Sequence, residues 1–210
     1  SQNFLEISKE VTVTVAPKEI TVTPDNASKV YGESDKEFTY TPSGLVGEDT
    51  LSDITLSRAE GDNVGTYEIT ASQKKDANPN YSVKFNKGTF TINPKEITVT
   101  ITPNGGTYDG NIISAAAVLN GLVGEDKPEI ILTYAGKAND GTEVNGTKTP
   151  VLAGTYTVTA SITDSNYNLK AEGTTAEFVV TKATPGLSVA AVSDRSYGEG
   201  AFKLGVSNKG

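Results

Sequence analysis

Pro17-Lys18-Glu19-Ile20-Thr21-Val22-Thr23 returns, residue for residue, as Pro94-Lys95-Glu96-Ile97-Thr98-Val99-Thr100, 77 positions further along the chain. In both copies the apolar residues fall at every second place, which is the period of a β-strand with one buried face. Threonine occupies the other face, where it favours extended backbone and forms cross-strand pairs. The match continues outward. Tyr31-Gly32 is answered by Tyr108-Asp109-Gly110, and Gly44-Leu45-Val46-Gly47-Glu48-Asp49 by Gly121-Leu122-Val123-Gly124-Glu125-Asp126, both at the same shift. Gly65-Thr66-Tyr67 then matches Gly154-Thr155-Tyr156 at a shift of 89, so the second copy carries 12 extra residues. The polar, glycine-rich stretch 136–148 is where they fit. Asn80-Tyr81 pairs with Asn166-Tyr167, and Phe90 with Phe178.

A repeat of this length makes each copy a structural unit. Residues 17–93 form a first module and 94–181 a second. Residues 1–16 read as the terminal strands of a preceding repeat, since Asn3-Phe4-Leu5 and Val11-Thr12-Val13-Thr14-Val15 resemble the end of a copy. Residues 182–210 read as the start of a truncated third repeat, Lys182-Ala183-Thr184-Pro185 leading to Ser196-Tyr197-Gly198. Ser1-Gln2 has the look of a cut edge, with any export signal lying upstream. The third piece lacks most of a module, so it should fray or pair with strands 3–15 of another copy through open strand edges.

The same alternation recurs in Phe38/Tyr40, Tyr67/Ile69/Ala71, Val83/Phe85 and Phe90/Ile92. Asn86-Lys87-Gly88 predicts a hairpin turn with glycine at positive φ, and Pro24-Asp25-Asn26 and Asn78-Pro79-Asn80 predict turns. One short helical turn is expected after each Gly-Leu-Val-Gly-Glu segment, capped by Asp49 and by Asp126. The fold class is therefore mainly β: small tandem modules, either Ig-like sandwiches or β-grasp-like, with at most one short helix each. First and last strands are expected side by side. The links Asn93-Pro94 and Thr181-Lys182 are short enough to set the modules end to end as an elongated rod.

Composition narrows the chemistry. The 210 residues hold no Cys, His, Met or Trp. That removes disulfides, thiol nucleophiles and the side chain best suited to proton transfer near neutrality. A net charge of −8 disfavours nucleic acid as a partner. No apolar run reaches the ~18 residues of a membrane helix.

Taken in order, Lys-Glu-Ile-Thr-Val-Thr, Val30-Tyr31-Gly32, Gly44-Leu45-Val46, Val64-Gly65-Thr66-Tyr67, Asn80-Tyr81 and Gly88-Thr89-Phe90-Thr91-Ile92 resemble the YGX-type MBG repeat of bacterial cell-surface adhesins. The second copy, with Tyr108-Asp109-Gly110, is similar to the YDG type. The resemblance implies secretion, display on the bacterial cell surface and no catalysis. It carries no ligand-binding residues across.

Candidate sites are weighed on that background. Tyr31, Tyr108 and Tyr197 are expected to plug module edges. Glu48-Asp49 and Glu125-Asp126 are neighbours on a turn, and glycoside hydrolysis needs two carboxylates facing one another across the scissile bond. Calcium would suit the oxygen-rich pairs Asp25-Asn26, Asp62-Asn63, Asp76 with Asn78, and Asp164 with Asn166, or the insertion with Asn139, Asp140, Glu143 and Asn145. None of these has the spaced ladder of a calcium loop, and the insertion reads as a solvated hairpin. A Lys–Asn isopeptide crosslink needs a buried lysine, whereas Lys74-Lys75 and Lys87 lie in polar context. No catalytic, cofactor-binding or metal-ligating residue is assigned, and no cofactor is expected. The expected function is a non-catalytic structural stalk or spacer, with neighbouring repeats as partners and end-to-end self-association open to it. The alternative is an adhesive module that itself binds host mucin, glycan or matrix protein.

Overall fold

The computed structural model describes residues 8–191, 194, 196–198, 200–203 and 205–209. The Asn3-Phe4-Leu5 match lies outside them. The chain divides into two compact units, 1–95 and 96–210.

The first unit contains seven strands: β1 (Lys18–Pro24), β2 (Ala27–Val30), β3 (Tyr40–Ser43), β4 (Ile54–Arg58), β5 (Gly65–Gln73), β6 (Tyr81–Phe85) and β7 (Gly88–Asn93). They form two sheets, ordered β3-β1-β6 and β2-β7-β5-β4. Ile20, Val22 and Pro24 of β1 are buried, alternating with more exposed threonines. Ile69, Phe90 and Ile92 form the centre of the core, and Tyr31, Phe38 and Tyr67 pack against them. Burial of each large apolar side chain contributes about 1.5–3 kcal/mol.

Two long runs pass from one sheet to the other. The first is β1 into β2; the second is β6 into β7. They lie side by side and parallel, Lys18 opposite Tyr81 at the start and Val30 opposite Asn93 at the end. The chain thus enters the module at one end and leaves at the other. Where the runs change sheet, Asn86 donates its backbone N–H to Val22 O and its amide to Thr23 Oγ1, while Thr89 N–H donates to Asn26 Oδ1.

This crossing corrects the expected hairpin at Asn86-Lys87-Gly88. β6 and β7 belong to different sheets, and Gly88 does not take a positive φ. Glycine is needed for space: a Cβ there would come 2.8 Å from Pro24 O and 2.9 Å from Pro24 Cβ.

The second unit repeats the plan with β8 (Lys95–Thr102), β9 (Gly106–Thr107), β10 (Ala116–Asn120), β11 (Ile130–Ala138), β12 (Glu143–Gly146), β13 (Gly154–Ile162), β14 (Tyr167–Leu169) and β15 (Thr175–Thr181). Its sheets are ordered β10-β8-β14 and β12-β11-β13-β15-β9. The addition is β12, antiparallel to β11 with Lys137 opposite Glu143, so the insertion is a hairpin that widens the larger sheet by one edge strand. The core gathers Ile113, Tyr134, Tyr156, Val158, Phe178 and Val180.

Among the described residues there is no helix, and the two expected helical turns are corrected. Val46–Asp49 and Val123–Asp126 are tight turns, closed by Asp49 N–H to Val46 O at 3.1 Å and Asp126 N–H to Val123 O at 3.0 Å. Gly47 and Gly124 supply the positive φ, at 57° and 52°. A β-grasp needs a helix across its sheet, so the two-sheet alternative is the one realised.

The flanking pieces differ from expectation. Residues 8–17 hold no strand, and Val11, Val13 and Val15 are exposed because nothing pairs with them. In the tail, β16 (Gly186–Val189) pairs antiparallel with β17 (Val206–Lys209), so the fragment closes on itself rather than fraying throughout. Leu187, Val189 and Val206 remain exposed on it.

Candidate functional site

Three arrangements of polar side chains stand out. The first is a clasp present in both modules. Tyr81 Oη donates to the Asp49 carboxylate and accepts the Val46 N–H at 3.1 Å. Tyr167 Oη does the same with Asp126 and with Val123 N–H, at 3.0 Å. The carboxylates expected to cap helices therefore pin the Gly-Leu-Val-Gly-Glu-Asp turn to the strand that begins at each Asn-Tyr. The Asp49 hydrogen bond pushes the Tyr81 hydroxyl above its ordinary pKa, because losing the proton would set two negative charges together. Glu48 and Glu125 are exposed beside the clasps. No opposed carboxylate pair results.

The second arrangement belongs to the first module alone. Lys29, with 6% of its side chain exposed, places Nζ 2.8 Å from Asp35 Oδ1. Arg58, with 12% exposed, sets Nε 2.5 Å from Asp35 Oδ2 and its guanidinium 4.9 Å from the centre of the Phe90 ring. Asp62 adds weaker pairs to both cations, at 3.6 and 3.3 Å. Arg58 and Lys29 hold the Asp35 carboxyl below its usual range. Sequence reasoning missed Lys29 because it weighed lysines by their polar neighbours. The signal was its parity: Ala27, Lys29 and Tyr31 share one strand face. A Lys–Asn crosslink needs an asparagine amide against the lysine, whereas Lys29 Nζ is paired with the carboxylates of Asp35 and Asp62, so this buried lysine sits in an ion cluster. Lys74 and Lys75 are exposed, and Lys87 pairs with Glu68 on the surface at 2.7 Å.

The second module has no counterpart to this cluster. Lys29 is replaced by Gly106, and the strand position of Arg58, opposite Ile69, is taken by Tyr134 opposite Val158. Tyr134 Oη accepts Ala115 N–H at 3.0 Å, and its ring meets Phe178 edge-on at 6.4 Å.

The third arrangement is a concavity of about 650 Å³ in the second unit. It is lined by the Tyr108-Asp109-Gly110 loop, the turn of the inserted hairpin at Asn139-Asp140, Leu152, and the link beginning at Lys182. Tyr108 packs half-buried on the core, as does Tyr31 in the first module, so both plug an edge as expected. Tyr197 does not: it is 109% exposed. Asp109 accepts the Asn111 N–H and side-chain amide, each at 2.9 Å, and Asp140 accepts Thr142 N–H at 2.9 Å. These bonds hold both carboxyls below their usual range. Burial pushes the Tyr156 hydroxyl up, with the nearby Asp140 charge adding to it.

The oxygen-rich pairs considered for calcium are dispersed. Asp25 is bound by Thr39 and Thr41 hydroxyls at 2.7 and 2.8 Å. Asp62 serves the ion cluster. Asp76 takes a positive φ of 62°, Asn78 is buried and clasps the Ser52 backbone, and Asp164 closes a local turn onto Asn166 N–H. Glu143 and Asn145 lie along β12. Among the described residues no three acidic side chains converge.

Comparison with known families places an MBG domain of the YGX type over residues 20–91 and an MBG domain over residues 97–184. No curated protein matches the chain.

Proposed function

We propose, on the premise that the chain belongs to the MBG-domain family, that its modules are non-catalytic mechanical spacers of a bacterial surface adhesin, working outside the cell. Domains of this family occur in surface adhesin-like proteins. One observation carries the spacer reading: the first and last runs of the first module are parallel neighbours. Tension on the chain pulls β1 from its start and β7 from its end. Two parallel strands pulled this way slide against one another, so their hydrogen bonds carry the load together. An antiparallel pair pulled from one end would open bond by bond. Entry and exit at opposite ends also let each module lengthen a stalk, with Pro94 the one residue between β7 and β8. Neighbouring repeats are the partners in this reading, and end-to-end association belongs to it.

Single-molecule force spectroscopy tests the proposal. The chain has no cysteine, so handles at introduced cysteines define the pulling axis. Pulling through the ends of the first module should require a markedly higher force than pulling through positions 54 and 73, the paired open ends of β4 and β5. Equal forces along both axes, or a compact particle by small-angle scattering, would overturn the spacer reading.

A further inference from the structure

The inserted hairpin does more than lengthen a sheet. The first module folds on the same plan without it, so the extra strand is dispensable to the architecture. Its turn supplies one wall of the 650 Å³ concavity, and the concavity is therefore a feature of the second module and not of the repeat. The volume falls in the range of small-ligand sites, roughly 300–1,000 Å³.

We propose that this pocket, between the Tyr108-Asp109-Gly110 loop and the Asn139-Asp140 turn, binds a short neutral saccharide. Asp109 and Asp140 are fixed by bonds from their own loops, at 2.9 Å in each case. A carboxylate has about four acceptor positions, so each keeps capacity for ligand hydroxyls. Their conformations are set before any ligand arrives, which limits the ordering cost of binding. Lys182 contributes donors, and Asn139 contributes both a donor and an acceptor. Tyr108 and Leu152 give apolar surface for the C–H face of a sugar ring. Charge selects among ligands: two carboxylates against one ammonium leave the lining net negative, which disfavours sialic acid and sulfate. A ligand that both donates and accepts hydrogen bonds without net charge satisfies the whole lining.

The site goes beyond the spacer reading and does not depend on it. The experiment is an NMR titration of the isotopically labelled chain. Probes are neutral tri- and tetrasaccharides of N-acetylglucosamine, galactose and mannose, their sialylated and sulfated forms, and calcium chloride. At least one neutral saccharide should give saturable shifts at amides 108–111 and 139–142. Leu152→Trp fills the concavity while leaving its backbone carbonyl bonded to Tyr156 Oη, and it should weaken binding at least tenfold. Asp109→Asn with Asp140→Asn keeps an oxygen acceptor for the Asn111 and Thr142 backbone N–H groups and should do likewise, whereas Asp25→Asn in the first module should leave affinity unchanged. No saturable binding, shifts elsewhere, a response to charged sugars or calcium alone, or undiminished affinity in both pocket variants would overturn the site. None of those results would alter the force anisotropy that tests the spacer.

Discussion

Replacing Gly88 by alanine probes the crossing on which the first module is built. The new methyl would lie 2.8 Å from Pro24 O and 2.9 Å from Pro24 Cβ. Pro24 is among the fully buried residues, and its ring and carbonyl have no rotamer by which to retreat. The two runs must separate by several tenths of an ångström, which as overpacking costs about 1–3 kcal/mol. Alanine returns roughly 0.4–1 kcal/mol by restricting the unfolded chain, so the net loss should lie between about 0 and 2.6 kcal/mol, centred near 1.3. For a module of this size each kcal/mol lowers the melting point by about 4–8 °C. Calorimetry of the whole chain should show the first module's transition falling while the second stays in place. Gly106→Ala is the companion variant, because a Cβ there meets nothing within 4 Å. If Gly88→Ala melts with the parent, or both modules shift together, the close approach does not constrain the fold.

Other substitutions test the remaining arrangements. Tyr167→Phe removes a hydroxyl bound to a carboxylate and to a backbone N–H, and with Tyr167 only 3% exposed it should cost about 1.5–3 kcal/mol in denaturant unfolding of the second module. Tyr81→Phe, in the more exposed clasp, should cost less. Asp35 has a depressed native pKa, so its contribution is present above the unfolded value of ~3.9 and lost as pH falls through the native value. Acid unfolding followed by hydrogen exchange should show this in the first module, and Asp35→Asn should remove that pH dependence while lowering stability at neutral pH. Replacing residues 139–148 with a short turn should leave the second module folded by circular dichroism, at a cost on the order of 1–3 kcal/mol for the lost cross-strand pairs.

Much of this architecture was legible from residue spacing. Copies offset by 77 and then 89 positions pointed to the shared strand order and the inserted hairpin, because a repeat conserves strand order. Period-two runs such as Ile20/Val22 and Phe90/Ile92 marked buried faces, because alternation is local. What failed depended on distant partners. Asp49 looked like a helix cap, yet its partner Tyr81 lies 32 positions away. Gly88 looked like a turn glycine, yet its constraint is Pro24 on another strand. The pocket joins Asp109, Asp140 and Lys182 from separate loops, and no linear motif announces that meeting.

The unlike cores of the two modules bear on how the chain avoids folding errors. Near-identical neighbours in one polypeptide can exchange equivalent strands during synthesis, and such swaps are a characteristic failure of repeat proteins. Here a misplaced β4 would carry Arg58 into the slot of Tyr134, beside Phe178 and without Asp35. A cation buried without its counterion is strongly disfavoured, by about 3–5 kcal/mol where one partner is missing. The ion cluster thereby disfavours a hybrid in which the first module's β4 takes the place of its counterpart.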